Sequence, residues 1–225
     1  MILSRGPFEP KFEKLPTEIP IFPLEGVLLL PGGRLPLKIF EPRYLAMVED
    51  ALGQGRFVGM VLPTKSESSQ NPGTATEVYG LGCAGRISTF SETDDGHLLI
   101  TLAGVCRFRL GQELEGVRGY RRVSADFTAF RDDLVPPAGP LVNRRRLLAA
   151  LRPYLLLHDI SLNWKALENF SDVALITTIS MLCPFETPER QALLEAPNDQ
   201  ERGSLLITLI EMGILEAGGG STARQ

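Results

Sequence analysis

The stretch from Ile19 to Leu52 limits what this chain can fold into more than any other part of its sequence, because apolar runs, prolines and glycines follow one another there in a definite order. Ile19–Leu24 is a short apolar run interrupted by prolines, as in an edge strand. Val27–Leu30 is a continuous apolar run, which favours a strand buried on both faces. The PGG segment at 31–33 then predicts a tight turn in which one glycine takes a positive φ.

The continuation of this stretch predicts a second strand and then a helix. Leu35, Leu37 and Ile39 alternate with other residues, as in a strand that buries one face. Pro42 suits the first position of a helix, where its missing N–H costs nothing, and apolar residues recur behind it at helical spacing. The whole stretch is therefore expected to form strand, turn, strand and helix.

The rest of the first half has strand character, and the second half has helical character. Strands are predicted at 57–62, 77–90, 97–102, 106–110 and 120–130, with a flexible loop at 64–76 and a hairpin turn at 93–96. Helices are predicted at 141–152 and 172–183, the second with Ser171 as its N-cap. Two more begin near 187 and 198, and the last opens with a segment, Asn198–Glu201, that resembles a capping box. The chain is thus expected to be α+β, with one helix inserted in its β-rich half.

Prolines and glycines concentrate between residues 131 and 140, which marks a boundary between the two halves. This boundary divides the chain into five segments. They are a flexible arm at 1–18, a β-rich unit at 19–130, a linker at 131–140, a helical bundle at 141–217 and a disordered tail at 218–225.

Charge and cysteine usage limit where such a protein works and what it binds. A net charge of −4 disfavours nucleic acid as the main partner, because domains that bind nucleic acid tend to be basic. The three cysteines are far apart and odd in number, which fits a reducing compartment rather than a disulfide framework. The first residues contain no apolar leader region, and no window approaches the roughly 18 apolar residues of a membrane span. We therefore expect a cytoplasmic protein with no membrane partner.

The motifs of several catalytic classes are missing from the sequence or stand in the wrong context. Residues 80–85 match G-x-G-x-x-G, but β-branched and aromatic residues follow them instead of a helix, so a bent strand explains the glycines better than a dinucleotide site. The sequence has no P-loop, and its two histidines and three cysteines lack the spacing of a metal site. We therefore expect no cofactor, no metal and no enzymatic activity, since no nucleophile stands with a positioned base.

Parts of both halves resemble a known family. The first part is the pattern P-x-F-P-L, then L-P-G, then L-P-L-x-I-F-E-P-R-Y, which extends from Pro20 to Tyr44. The second part lies in the helical half, at Met181–Leu182, Pro184–Phe185 and Gln191–Glu195. These patterns are similar to those of the N-terminal substrate-binding domain of Lon proteases, particularly the small stand-alone bacterial proteins built from that domain alone.

The resemblance implies a fold and a function that the periodicity alone does not. The implied fold is a PUA-like β pseudo-barrel with one inserted helix, followed by a C-terminal helical bundle. The implied function is non-catalytic binding, either of unfolded or degron-bearing polypeptides or of a protease or ATPase partner. The chain departs from full-length Lon because it has no P-loop and no counterpart of the Ser-Lys protease. The alternative is an RNA-binding PUA-like module, and the oligomeric state stays open.

Two groups of residues are the candidate binding residues. Glu41, Arg43 and Tyr44 form the most specific local motif, where the second strand meets the helix. They either provide a binding surface or pack this corner, with the tyrosine buried and the arginine paired to an acid. Arg107 and Arg109 share one face of a late strand and are candidates to line a groove for carboxylates, peptide termini or phosphates.

Overall fold

The computed structural model describes residues 10–65, 76–136 and 141–219. The chain divides into two compact units, one drawn from Met1–Leu24 and Leu29–Pro136 and the other from Glu25–Leu28 and Pro137–Gln225. The expected arm, loop, linker and tail lie partly outside the described residues, at 1–9, 66–75, 137–140 and 220–225. The expected end of the helical bundle at residue 217 falls inside the last helix, which continues to Gly219.

The first unit is a mixed six-stranded sheet joined to a helix, so the molecule is α+β. The strands are β1 (Glu18–Pro23), β2 (Arg34–Ile39), β3 (Phe57–Val61), β4 (Leu81–Glu92), β5 (Leu98–Val117) and β6 (Tyr120–Asp126). Helix α1 (Pro42–Gly53) begins at the proline predicted to open it. Short 3₁₀ helices occupy Phe12–Lys14 and Thr128–Leu134. The strand order is β2-β5-β4-β3-β1-β6, and β6 also pairs with β5.

Strand β1 is not the edge strand that its prolines predict, because it lies between β3 and β6. Residues 18–21 pair with β6, and residues 21–23 pair with β3. Pro20 and Pro23 therefore each lie where β1 has only one paired neighbour, which is the local condition that a residue without an N–H requires. The prolines indicate one-sided pairing at single positions, and the prediction of an edge strand is wrong.

The apolar run Val27–Leu30 is buried but forms no strand, which corrects the prediction made for it. Its three leucines are at most 2% exposed, yet none of these residues belongs to a strand. A continuous apolar run indicates burial and does not by itself indicate strand pairing. The turn predicted after the run is confirmed: Gly32 has a φ of +76°, and its N–H donates to the Gly104 carbonyl at 2.9 Å.

The second and third glycines of the G-x-G-x-x-G motif, Gly82 and Gly85, belong to strand β4, where they allow close packing. A Cβ on Gly82 would lie 2.7 Å from the Met60 carbonyl oxygen, and one on Gly85 would lie 2.8 Å from the Leu29 side chain. The pairing of β4 with β5 shifts register between Ala84 and Gly85. The interpretation of this motif as a bent strand is confirmed.

Strand β5 unites two segments that the sequence predicts as separate strands, 97–102 and 106–110. The apolar alternation is interrupted between them because the register with β4 shifts there, and a bulge changes the face of the following residues without ending the strand. The hairpin turn predicted before β5 is confirmed, because Gly96 has a φ of +77° and the Thr93 N–H donates to the His97 carbonyl at 3.0 Å.

The second unit is helical. Its helices are α2 (Arg144–Leu157), α3 (Trp164–Glu168), α4 (Asp172–Leu182), α5 (Thr187–Glu195) and α6 (Asp199–Gly219). Helix α2 continues through Pro153, and the sequence does not predict the short α3. The predicted N-caps of α4 and α6 are confirmed: Ser171 accepts from the Ala174 N–H at 3.2 Å, and Asn198 accepts from the Glu201 N–H at 2.9 Å. None of the helices in the described ranges is long and apolar enough to cross a membrane.

Candidate functional site

The motif at the corner between β2 and α1 is held together by its own residues. Tyr44 is 7% exposed, and its ring lies 4.2 Å from that of Phe22 between centroids. The Arg43 guanidinium lies 4.5 Å from the Tyr44 ring and pairs with the Glu41 carboxylate at 2.8 Å. The structure thus shows the buried tyrosine and the paired arginine expected if this motif packs the corner, and its role as a binding surface stays a prediction.

Arg107, the first of the two strand arginines, is buried against an acid of its own unit. It is 4% exposed, and its Nη2 lies 2.8 Å from Oδ1 of Asp133. The backbone N–H of Arg107 also donates to this carboxylate at 2.9 Å. Arg109 is exposed, and both guanidiniums lie beside the Phe130 ring, at 4.9 and 5.8 Å from its centroid. The two arginines share one face as predicted, but Asp133 already occupies the guanidinium of Arg107.

The remaining arginines of the late strands are also paired within the unit. Arg118 pairs with Glu49 at 2.7 Å and with Asp50 at 2.9 Å. Arg121 pairs with Glu113 at 2.7 Å, and this hydrogen bond lowers the pKa of the glutamate. Arg122 pairs with Glu18. These side chains therefore form no unneutralised positive surface.

A different surface, which the sequence did not single out, has the properties of a binding site. Strands β2 and β4 pair with opposite sides of the first part of β5, and the registers place their outward side chains in three rows. We call this surface the distal face. Its rows are Lys38, Leu99 and Ser91, then Pro36, Thr101 and Thr89, then Arg34, Ala103 and Arg86.

The distal face contains an open groove of 480 Å³. Its lining consists of Pro36, Leu37, Lys38, Thr89, Phe90, Ser91, Leu99, Ile100 and Thr101. Large apolar side chains are exposed in and beside it, at 59% for Phe40 and 44% for Leu99, whereas Phe90 is in register with the buried Ile100 and projects from the opposite face. Because isolated exposed apolar residues are common but neighbouring ones mark interaction surfaces, the proximity of Phe40 and Leu99 to the groove is the informative feature.

One end of the distal face is fixed by the hairpin turn. Asp95 accepts from Lys38 Nζ at 3.1 Å and lies 2.8 Å from His97 Nδ1. Hydrogen bonds from Thr93 and then Lys38 hold the pKa of Asp95 well below its usual range. The Phe40 ring meets the His97 ring edge-on at 6.0 Å. The turn therefore ties strand β2 to the hairpin and holds the aromatic ring beside the groove.

A signal for this surface exists in the sequence, although its meaning depends on the structure. Leu99 is out of phase with Leu98, Ile100 and Leu102, and Phe40 is out of phase with Ile39. A large apolar residue on the outward side of an alternating strand is either a surface residue or part of a contact. Only the pairing of β2 and β4 with β5 brings the outward residues together.

The surroundings of the cysteines in the described part of the chain do not favour a reactive thiolate. All three are buried, and burial raises the pKa of the Cys106 and Cys183 thiols to about 12, so both stay protonated near neutral pH. Within the described ranges, no group of three His, Cys, Asp or Glu side chains is arranged to hold a metal ion.

Comparison with known proteins agrees with this architecture. The model of the ATP-dependent protease La (LON) substrate-binding domain matches residues 18–212. The chain belongs to this Lon substrate-binding domain family. The match covers both units, so the sheet and the helices together form the domain that the family describes. The family description concerns the part of the protease that binds substrate and not its catalytic parts.

Individual relatives agree with this assignment. Lon protease 2 of Myxococcus xanthus is 26% identical over 204 residues, which cover 88% of this chain and 24% of that protein. The Lon protease of Elusimicrobium minutum is 25% identical over 211 residues, which cover 90% of this chain and 24% of that protein. The chain thus spans about a quarter of the length of these curated relatives.

Solved structures of Lon N-terminal domains share the fold. The Lon N-terminal domain protein from Xanthomonas campestris has a TM-score of 0.58 and 25% sequence identity, with 85% of this chain and 98% of that chain covered. The N-terminal domain of the Mycobacterium avium complex Lon protease has a TM-score of 0.53 and covers 86% of this chain and 97% of that one. Its identity of 17% supports the fold alone.

Proposed function

We propose that this chain is a non-catalytic module that binds unfolded polypeptides on the distal face. The observation that carries the proposal is the exposure of Phe40 and Leu99 at one open groove. Unfolded polypeptides differ from folded ones in exposing apolar side chains, and burying such side chains against this cluster supplies a favourable free energy of association.

The polar residues of the groove suit an extended backbone. Thr89, Ser91 and Thr101 line it together with Leu99, and hydroxyl groups can both donate to and accept from peptide groups. Direct addition of a strand to the edge of β2 is less suitable, because Pro36 has no N–H to donate and Lys38 places a charge there. We therefore propose recognition by the face of the sheet and not by its edge.

Membership of a substrate-binding family supports polypeptides as the ligand class. The relatives are ATP-dependent proteases of which this chain spans a quarter, which supports a protease or an ATPase as the partner that receives the bound polypeptide. This partner and a cytoplasmic location are part of the proposal.

No observation favours the RNA-binding alternative. Three arginines of the late strands, Arg118, Arg121 and Arg122, are neutralised by Glu18, Glu49, Asp50 and Glu113. RNA binding depends on positive side chains that are free to neutralise phosphates. We also infer that the successive pairing of β5, β4, β3, β1 and β6, which returns to β5, forms the PUA-like pseudo-barrel implied by the resemblance.

A binding titration tests the proposal. The probe is a fluorescently labelled globular protein that has been reduced and carboxymethylated so that it stays unfolded, and its native form is the control. We expect saturable binding of the unfolded form only, weakened about fivefold or more by Leu99→Ser, since part of a buried leucine contributes about 1 kcal/mol or more. Leu215→Ser is the matched control, because this leucine is 73% exposed on helix α6 of the other unit. Equal binding of native and unfolded probe, or equal weakening by both variants, would contradict the proposal.

A further inference from the structure

Two arginines stand opposite each other in the last row of the distal face. Arg34 of β2 and Arg86 of β4 are both in register with Ala103 of β5. Residues in cross-strand register project from the same face of a sheet. Arg34 is exposed, and Arg86 is half-buried. The two positive side chains therefore flank one small residue on the face that contains the groove.

These two arginines differ from most others in the first unit because they are not neutralised. Arg43, Arg107, Arg118, Arg121 and Arg122 each pair with an acid. The side chains of Arg34 and Arg86 form no ion pair or hydrogen bond with any residue in the described part of the chain. Two cationic groups are thus available on the same side of the sheet.

The spacing suits a single carboxylate. The Cα atoms of residues two strands apart are about 10 Å from each other, and an arginine side chain is long enough for both guanidiniums to meet over the strand between them. Ala103 lies between them with only a methyl group, so its side chain leaves this space open. Each guanidinium presents a planar pair of N–H donors that matches the two oxygens of a carboxylate.

The position of the arginines gives the groove a direction. Two rows of the distal face, with Thr101 and then Leu99 at their centres, continue from Ala103 towards the hairpin turn. The rows are about 7 Å apart, which is the spacing of alternate residues in an extended peptide. A peptide whose last residue lies over Ala103 would place its preceding side chains against Thr101 and the exposed Leu99.

We propose that the distal face recognises the carboxyl-terminal end of an unfolded polypeptide. Arg34 and Arg86 bind the terminal carboxylate, and the apolar groove binds the side chains that precede it. This inference rests on the proposed function and adds the substrate class, namely polypeptides with an apolar carboxyl-terminal segment. Capture of a terminal carboxylate is one of the recurring ways in which proteins recognise peptides.

The experiment compares three peptides on the full chain by fluorescence anisotropy. All carry an N-terminal fluorophore, are ten residues long and share the same apolar sequence at the first nine positions, and the first two also share the tenth. The first ends in a free carboxylate, the second in an amide, and the third in an amide with Asp as its last residue. We expect the free acid to bind about tenfold more tightly than the amide, since two charge-assisted guanidinium contacts are lost with the carboxylate. We expect the third peptide to bind like the amide.

Variants assign this preference to the two arginines. In the double variant Arg34→Gln/Arg86→Gln, the affinity for the free-acid peptide should fall to that for the amide peptide, so that the ratio of the two affinities is about one. The affinity for the amide peptide should not change. Leu99→Ser should weaken both peptides by the same factor and preserve the ratio. Arg145→Gln is the matched control, because Arg145 is an exposed arginine of helix α2. Each single variant, Arg34→Gln and Arg86→Gln, is measured as well, so that misfolding of the double variant does not decide the result.

The outcomes separate the two levels of the proposal. Equal binding of acid and amide by the wild type, a ratio that survives in the arginine variants, or binding of the Asp amide as tight as that of the acid would overturn the inference and leave polypeptide binding intact. If neither the acid nor the amide binds, the proposed function fails and the inference fails with it.

Discussion

Arg107 and Arg86 lie on neighbouring strands of one sheet, β5 and β4, but their surroundings are opposite. Arg107 is 4% exposed, and both its Nε and its Nη2 donate hydrogen bonds to the Asp133 carboxylate. Arg86 is half-buried, faces Arg34 across Ala103, and has no partner in the described part of the chain. The difference shows that a positive residue in a strand gains its role from what the fold places beside it.

The origin of this difference is in the topology. The 3₁₀ helix Thr128–Leu134 follows β6 and returns an acid to Arg107, 26 residues further along the chain. No element in the described ranges does the same for the row at Ala103, where two positive side chains meet from opposite sides. In the first arrangement Asp133 neutralises Arg107 inside the fold. In the second, Arg34 and Arg86 keep their charges on a surface where a ligand can reach them.

Breaking the buried pair should have the largest effect. Asp133→Leu leaves the guanidinium of Arg107 buried without its carboxylate, and removing one partner of a buried ion pair costs about 3–5 kcal/mol of folding free energy. Urea unfolding followed by far-UV circular dichroism, with hydrogen exchange to locate the change in β5, measures this loss. The double variant Arg107→Met/Asp133→Leu should recover most of it, since no buried charge remains. An Asp133→Leu variant as stable as wild type would show that Arg107 does not need its partner.

The elements that sequence alone predicts correctly are those set by neighbouring residues. Pro42 opens α1, Ser171 caps α4, and Asn198 caps α6, because each of these features is decided within a few positions of the chain. The incorrect predictions concern pairing over longer distances. Val27–Leu30 is buried without a strand, and β1 lies inside the sheet because β6, a hundred residues later, covers its other side.

The candidate site shows the same limit. The local motif around Arg43 was recognisable, but its contacts serve packing. Leu99 is out of phase with the apolar residues of its strand, but it and Arg86 lie in different strands, and neither segment shows that the two share a face. The distal face exists only because two register relations bring β2 and β4 to the same part of β5. Such a surface depends on long-range pairing, which periodicity within one strand does not determine.

Breaking an ion pair of intermediate burial should lower the free energy of unfolding by an intermediate amount, and this loss should depend on pH. Arg144 Nη1 lies 2.8 Å from Asp172 Oδ1, with side chains 32% and 16% exposed. The carboxylate also accepts from the Leu141 N–H at 2.9 Å. The hydrogen bond from Arg144, followed by that from the Leu141 N–H, lowers the pKa of Asp172 below its ordinary value of 3.8. We expect Asp172→Asn to cost about 1–2 kcal/mol at pH 7.

The sign of the pH dependence follows from the lowered pKa. A carboxyl group whose pKa is lower in the folded state contributes stability above its unfolded pKa, and this contribution is lost as the pH falls through the folded pKa. The difference in free energy of unfolding between wild type and Asp172→Asn should therefore have its full size above about pH 4 and decrease below that pH. Urea unfolding followed by the fluorescence of Trp164, the single tryptophan of the chain, reports on the helical unit. Asp159→Asn, at an exposed acid of the same unit, is the control; a difference that stays constant down to the acid transition would exclude the ionised carboxylate as its source.

The smallest effect on stability should come from the two unpaired arginines. Arg34→Gln/Arg86→Gln removes no ion pair formed by the described residues, so the free energy of unfolding should change by no more than about 0.5 kcal/mol. The Cα atoms of the two arginines are about 10 Å apart, so their like charges repel each other over a distance at which salt screening is effective, since the Debye length is about 10 Å at 0.1 M salt. The variant should therefore be slightly more stable than wild type at low ionic strength, and this gain should disappear in 1 M salt. Urea unfolding at both salt concentrations, followed by far-UV circular dichroism, measures this change in the free energy of unfolding.

A loss of 1 kcal/mol or more in the double variant would mean that these arginines stabilise the fold as Arg107 does. The contrast between a buried, paired arginine and two arginines open to a ligand would then no longer hold. A gain at low salt combined with a lost preference for the free acid would instead show that the fold tolerates repulsion in order to keep two positive groups open to a ligand.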